Sequence, residues 1–308
     1  MAELAAHKIL RKIVLLLFIV NPTQAAQTQS CASPGWTSEK EGYKLSVQSR
    51  LVQIFTTVTH RKQPVLNLHT SDFEVTEDGN TVNIAHLDNP EIPLYVALLV
   101  DISESVRDSL PTIQDAAVAF VNSLRPDDRL VLVLFNSDIQ VVEQVTESRE
   151  SLLKAIRNSK ARDMTKLYEA LHVGMKYLES KSGRRAIVCF TDGEDTASNI
   201  TRASVLDAAA RYGFPIYAIG AGAGLGLSRL QMILRDFADI NGGKAFFLQS
   251  LRQLRETFTL VASELRSAYV LSYYTQVLPD GQWHELSVKT KNPAYSLRAR
   301  RGFFAEKQ

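Results

Sequence analysis

The stretch Leu94-Tyr95-Val96-Ala97-Leu98-Leu99-Val100-Asp101-Ile102-Ser103-Glu104-Ser105 decides the fold. Seven apolar residues run unbroken and stop at an acid. A continuous apolar run rich in Val and Leu reads as a strand buried on both faces, as in a parallel sheet covered by helices. Beyond its end, Asp101, Ser103 and Ser105 place a carboxylate and two hydroxyls at alternate positions. In open α/β sheets, ligands lie just outside the carboxyl ends of the strands. Oxygen-only donors at that place suit a hard divalent cation, Mg²⁺ above all.

Two later stretches extend the pattern. Asp163-Met164-Thr165-Lys166-Leu167-Tyr168-Glu169-Ala170-Leu171 puts a hydroxyl at the start of a helical pattern. Ala186-Ile187-Val188-Cys189-Phe190-Thr191-Asp192-Gly193-Glu194-Asp195 is a second apolar run ending in an acid. D-x-S-x-S, then T, then D, each at a strand end or a helix start, resembles the metal-ion-dependent adhesion site of von Willebrand factor type A domains. The resemblance implies that Asp101, Ser103, Ser105, Thr165 and Asp192 carry the metal. It also implies one metal position left for an outside ligand, commonly a partner's carboxylate. The family often has Gly between the two serines and Gly-Gly before the Thr, where this chain has Glu104 and Asp163-Met164.

The 308 residues suffice for one large domain or two ordinary ones. A hydrophobic fraction of 45% and a charged fraction of 22% are those of a globular protein. With 35 basic and 33 acidic residues the net charge is +2, which gives no reason to expect a nucleic-acid partner. The densest basic cluster, Arg298, Arg300 and Arg301, reads as a solvated strand face. At the start, Lys8, Arg11 and Lys12 precede an apolar run from Ile13 to Val20 and a small-residue stretch ending at Ala25-Ala26. This is the pattern of a secretory signal peptide over residues 1–26, its apolar run too short to span a bilayer. The mature chain is expected outside the cytoplasm, periplasmic or extracellular, with no integral membrane span. Of two cysteines, Cys31 falls in a polar linker, residues 27–41, and Cys189 within an apolar run. Cys189 reads as a core residue and Cys31 as a free thiol.

From Leu94 onward, strand and helix alternate. Val106 to Leu124 has helical spacing, with Ile113, Ala116, Ala117, Phe120, Val121 and Leu124 on one stripe. Leu130–Phe135 reads as a buried strand and Ile139–Val145 as an edge strand. Thr165–Leu178 reads as a helix with Thr165 near its N-cap. The segments on either side are all β. In the first, Asp78-Gly79 marks a hairpin. In the last, Trp283, Leu286 and Val288 are candidates for burial, and Tyr295–Phe304 reads as one strand. Neither end is long enough to bury a good core alone. The expected fold is therefore α/β: a doubly wound, mostly parallel, Rossmann-like sheet over residues 91–267. It is inserted into a β-sandwich whose halves are residues 42–90 and 268–308.

The order of Phe73-Glu74-Val75-Thr76-Glu77-Asp78-Gly79, the D-x-S-x-S strand, Thr191-Asp192-Gly193-Glu194-Asp195-Thr196, Ser267–Tyr274 and Arg301-Gly302-Phe303-Phe304 is similar to that of secreted bacterial von Willebrand factor A-related proteins. The function this implies is a secreted, metal-dependent adhesion module that binds a protein ligand, with Mg²⁺ as the cation and Ca²⁺ or Mn²⁺ as alternatives. Glu104, Glu194 and Asp195 are expected to add negative charge at its rim. Two other readings stand beside it: a cation that only staples loops in a scaffold, and a secreted hydrolase. The chemistry favours the non-enzymatic readings. Gly220-Ala221-Gly222-Ala223-Gly224-Leu225-Gly226 misses the dinucleotide spacing, no G-x-S-x-G occurs, and the histidines are scattered.

Overall fold

The described residues open and close in antiparallel strands, and between them strand and helix alternate. The computed structural model describes residues 50–88, 92–143, 148–221 and 229–305, all within one unit, Val47–Gln308. The expected signal segment and linker, Cys31 and most of the glycine-rich loop lie outside the described residues. The leading strands are β1 (Arg50–His60), β2 (Gln63–Pro64), β3 (Phe73–Glu77), β4 (Asn80–Val82) and β5 (Ile84–Asp88). The alternating part runs β6 (Leu94–Asp101), α1 (Leu110–Ser123), β7 (Arg129–Phe135), β8 (Ile139–Glu143), α2 (Arg149–Asn158), α3 (Leu167–Glu179) and β9 (Arg184–Thr191). It continues with α4 (Arg202–Tyr212), β10 (Ile216–Ala221), α5 (Arg229–Asp239), β11 (Lys244–Leu248) and α6 (Leu254–Ser267). The closing strands are β12 (Tyr269–Thr275), β13 (Trp283–Thr290), β14 (Ser296–Ala299) and β15 (Gly302–Phe304).

The alternating part builds one six-stranded sheet in the order β11-β10-β9-β6-β7-β8. Every pairing is parallel except that of the edge strand β8 with β7. Side chains on successive residues point to opposite faces, and both faces are covered. Val96, Leu98 and Val100 share a buried cluster with α1, α2 and α6. Ala97 and Leu99 share another with α3, α4 and α5. The doubly wound, mostly parallel reading of the sequence is thus what the sheet shows, and the stripe from Ile113 to Leu124 is buried throughout. Cys189 lies in the second cluster, unbridged and 1% exposed. Among the described residues, no helix is long and apolar enough to cross a membrane.

The strands at the two ends of the chain intermix. One sheet runs β14-β1-β12-β5, with β2 on β1, and the other β15-β13-β3-β4. β1 and β12 pair with Ile54 opposite Leu271, and β3 and β13 with Val75 opposite Val288. Val52, Ile54, Phe73, Val75, Tyr269, Leu271, Leu286 and Phe303 share a third buried cluster. The expected hairpin turns at Asp78 and Gly79, both at positive φ, as the twist of a two-residue hairpin demands.

Three expectations need correction. Tyr295–Phe304 is not one strand: it breaks at Arg300-Arg301 into β14 and β15, which belong to different sheets. Trp283 is 41% exposed. It stands three residues from Leu286, and an odd separation along a strand puts it on the opposite face, where it packs edge-on to Phe304 at 5.2 Å between centroids. The arginine run is not a solvated face either. Arg301 is exposed, but Arg300 is buried at 7% exposure. Arg298 pairs with Glu264 and donates to the Gly243 carbonyl at 3.1 Å.

Glu264 of α6 is itself buried and also receives Lys244 Nζ of β11 at 3.0 Å. One carboxylate thus joins the last helix to an edge of the central sheet and to β14. Glu264→Gln strips two cations of their acceptor. Because Lys244 and Arg298 stay partly solvated, the cost expected in urea denaturation at pH 7 is about 1–3 kcal/mol, below the range for a fully buried pair. Adding Arg298→Met should recover part of it. An unchanged midpoint for Glu264→Gln would show that the network contributes nothing.

Candidate metal centre

β6 and β9 are parallel neighbours with Val100 opposite Phe190. Asp101 and the Thr191-Asp192 step therefore leave the sheet side by side. At β6 the winding of the chain also reverses. α1, on one face, leads to β7 on one side of it, and α3, on the other face, leads to β9 on the other side. A crevice opens at the carboxyl ends of strands where such a reversal occurs.

The five residues singled out in the sequence meet there. Asp101 is fully buried: its Oδ1 accepts from the Ser103 amide at 2.8 Å and its Oδ2 from Thr191 Oγ1 at 2.6 Å. Ser103 Oγ lies 3.0 Å from Ser105 Oγ, and Ser105 Oγ donates to Asp192 Oδ1 at 2.6 Å. Thr165 is buried at 5% exposure. A Cβ placed on Gly193 would stand 3.7 Å from both Thr165 Oγ1 and Ser105 Oγ, so the two hydroxyls flank the same glycine. Thr165 stands directly before the N-cap position of α3, near the cap as expected. α3 begins two residues later with Lys166 at its N-cap position, and no side chain of that residue caps it.

Burial pushes the Asp101 carboxyl up to about 6, against the hydrogen bonds from Ser103 and Thr191, and the neighbouring Asp192 charge pushes the same way. Burial also raises Asp192, against the pull of Ser105. Among the described residues no basic side chain pairs with either carboxylate. The donor set is oxygen only, two carboxylates and three hydroxyls, and its negative charge lacks a counterion. That combination fits a divalent cation of the hard class.

The loops that present these groups are fastened by their own backbone. Glu104 N donates to Asp163 O at 2.9 Å, Lys166 N to Asn136 O at 3.0 Å, and Thr196 N to Thr165 O at 2.9 Å. Asp163 stands where a glycine was the familiar choice, and it adopts φ +64°, a left-handed conformation that Asp tolerates better than most residues. Glu104 has no positive φ and sits in a 3₁₀ turn, Glu104–Ser109. The expected acidic rim is largely tied up. Glu104 accepts from Arg107 Nε at 2.6 Å, and Glu194 lies 3.5 Å from Arg229. Asp195 Oδ1 accepts from the Tyr168 amide at 3.1 Å, which places a carboxylate at the amino end of α3.

Sequence reasoning passed over Thr191. Its hydroxyl steadies Asp101 and accepts from the Gly193 amide at 3.2 Å. The signal was a hydroxyl as the last residue of an otherwise apolar strand. Thr196 was missed as well; its Oγ1 accepts from the Thr165 amide at 3.0 Å.

An acid whose pKa is higher folded than unfolded weakens the fold as pH rises between the two values. For Asp101 that window runs from about 4 to about 6. In metal-free protein, the wild type should therefore lose of order 2–3 kcal/mol relative to Asp101→Asn between about pH 4 and pH 7. Parallel stability–pH curves for the two proteins would contradict this electrostatic account.

The model for the von Willebrand factor type A domain family matches residues 96–260, a span that includes all five residues. A UPF0353 protein of Mycolicibacterium gilvum is 26% identical over 206 residues, 57% of this chain and 62% of its own length. One of Mycolicibacterium vanbaalenii is 25% identical over 236 residues, 67% of this chain and 70% of its own length. The chain thus spans 62% of the length of the first of these relatives. Among solved structures, a von Willebrand factor type A protein from Catenulispora acidiphila aligns with a TM-score of 0.50 at 14% identity, over 84% of this chain and 64% of that one. Proximal thread matrix protein 1 of the mussel byssus, solved with a zinc-occupied MIDAS motif, aligns with a TM-score of 0.50 at 15% identity, over 62% and 50%. At these identities the likeness is one of fold.

Proposed function

The chain belongs to the von Willebrand factor type A domain family, and from that premise we propose that it is a metal-dependent protein-binding module acting outside the cytoplasm. Asp101, Ser103, Ser105, Thr165 and Asp192 would hold the cation, Mg²⁺ first and Ca²⁺ or Mn²⁺ as alternatives. When bound, the ion supplies an electrophilic position for an oxygen of an incoming carboxylate on a protein partner. The observation that carries this reading is the convergence of three hydroxyls and two uncompensated carboxylates on one crevice. Neutral hydroxyls leave most of the ion's charge unanswered, which favours an anionic ligand from outside. The mussel protein, with its zinc-occupied motif on the same fold, supports a cation at this place. Oxygen-only donors favour a harder ion than zinc here.

Two observations weigh against the other readings. A cation that only stapled loops would have little to do, because backbone bonds already join Glu104 to Asp163 and Thr165 to Thr196. A hydrolase built on Glu194 and Asp195 would need acids that are instead engaged by Arg229 and by the start of α3.

The proposed arrangement suits presentation of the site. We read residues 91–267 as inserted into a β-sandwich formed by residues 42–90 and 268–308. The end of α6 lies beside the start of β9, where Arg184 donates to the Leu265 carbonyl, and β6 starts opposite Arg184. Both crossings between the parts therefore fall at the amino ends of the parallel strands, and the crevice is at their carboxyl ends. The leading sequence, read as a secretion signal, supports a periplasmic or extracellular place of action.

Calorimetric titration of Mg²⁺ into the purified mature chain tests the reading. One saturable site is expected in the wild type and none in Asp101→Ala. Partner capture should then be lost with chelator and with the variant alike. Absence of Mg²⁺, Ca²⁺ and Mn²⁺ binding by the wild type would defeat the proposal.

A further inference from the structure

Far from the crevice, the start of β9, the end of α4 and strands β1, β12 and β15 line a pocket of about 220 Å³ that is open to solvent on one side. That is well beyond the roughly 10–15 Å³ that admits one water. Among the described residues four arginines line it, Arg50, Arg185, Arg211 and Arg300, and no acidic residue does. Arg211 is answered by Asp207 at 2.9 Å. Arg185 donates only to neutral oxygens, the Lys181 carbonyl at 2.8 Å and Gln53 Oε1 at 2.9 Å. Arg50 and Arg300 have no hydrogen bond or ion pair to any described residue, and Arg50 Nη2 and Arg300 Nε are buried without a partner. Both guanidinium groups lie over the one Phe303 ring, at 5.4 and 5.7 Å from its centroid.

Arg300 is the decisive group. It is more than nine-tenths buried. Burial pulls its pKa down to about 10, and Arg185 and Arg50 push the same way against Tyr273, so at neutral pH it is still a cation. A buried cation without a countercharge is among the most costly features a fold can hold. Sharing a ring with Arg50 does not remove that cost. The carboxyl end of α4 offers about half a unit of negative charge, against three arginines. The place is also shaped for the guanidinium. Gly213 caps α4 at φ +71°, and a Cβ there would stand 2.2 Å from Arg300 Nη1.

We propose that this cavity is a second ligand site, one that binds a phosphate group, free or carried by a small molecule, through Arg300, Arg50 and Arg185. Planar guanidinium forks match the oxygens of phosphate two at a time. Three cations without a carboxylate call for more than the single charge of a simple carboxylate. The site is separate from the metal centre. Arg185 lies at the start of β9 and Thr191 at its end, six residues and about 20 Å apart along the strand.

The test uses the full chain, freed of metal by chelator and then dialysed, at constant ionic strength. Thermal shift and calorimetry are run with inorganic phosphate, glycerol phosphate, citrate and acetate. Saturable binding of phosphate or its ester is expected, with the tighter of the two naming the source. Arg300→Met should weaken it about ten- to a hundredfold, and Lys160→Met, which removes an exposed cation outside the cavity, should leave it unchanged. If Arg300→Met fails to fold, Arg50→Gln serves, with the same loss expected. Absence of saturable binding, equal binding by a folded arginine variant, or acetate binding as tightly as phosphate would each overturn the proposal.

Discussion

The parallel pairing of β6 with β9 is the constraint on which the crevice rests. Asp101 and Thr191 come from segments 90 residues apart, and only the register Val100 to Phe190 brings the carboxylate within 2.6 Å of the hydroxyl. A slip of one residue would exchange the faces of every side chain on the strand. Both faces of this sheet are buried, so polarity cannot forbid the slip; size does. The face toward α3 carries Ala97, and a Cβ on Gly174 of α3 would already stand 3.0 Å from Leu99 Cδ1. That position is also 3.4 Å from Ala97 Cβ, so the helix sits too close for the Val96 or Leu98 side chain that a slip would bring to the place of Ala97. Apolar packing in the middle of the strand thereby fixes polar geometry at its end.

A second consequence concerns how the helix beside the crevice is capped. The amino end of α3 needs acceptors for its free amides, and Thr165 is the kind of residue that would supply one. Asp195 from the β9–α4 loop does so instead, together with the Ser198 hydroxyl, which accepts from the Glu169 amide at 3.1 Å. Thr165 keeps its hydroxyl for the space beside Gly193. The same arrangement draws Asp195 away from the rim. Fewer acids at the rim are uncommitted than the acid-rich sequence Asp192-Gly193-Glu194-Asp195 suggests.

Much of this was legible in the sequence, and for identifiable reasons. β6 and β9 are unbroken apolar runs, which announce strands buried on both faces, and the D-x-S-x-S spacing follows directly from the end of one of them. Asp78-Gly79 announced a hairpin, and both residues take the positive φ that such a turn needs. What escaped depends on contacts across the fold. Alternation along β13 separates two faces but does not say which is covered, so Trp283 was placed inside. Arg298, Arg300 and Arg301 form a local charge run, and nothing local records that Glu264 waits 34 residues earlier for Arg298 or that Gly213 leaves room for Arg300. Asp163 was readable as a departure from glycine, yet its left-handed backbone shows that the turn itself is kept.

Charge is arranged rather than scarce in this molecule. With 35 basic and 33 acidic residues, every buried charge could have been matched within the chain, as Glu264 is by Arg298 and Lys244. Among the described residues, two carboxylates at the carboxyl end of β9 are left without a cation. Near its amino end three arginines have no acid among the described residues. A parallel sheet has too small a dipole of its own to sustain either group, and desolvation opposes both. On the readings proposed above, something outside the chain would complete them, and the two ends call for opposite things: a cation at one and an anion at the other. The same strand carries both, so the rigid element that sets the geometry of the crevice also sets the position of the arginines. Occupation of either end should stabilise a strand that the other shares. Any coupling between them would therefore pass through the packing of β9 against β6 and β10 and would need no moving loop.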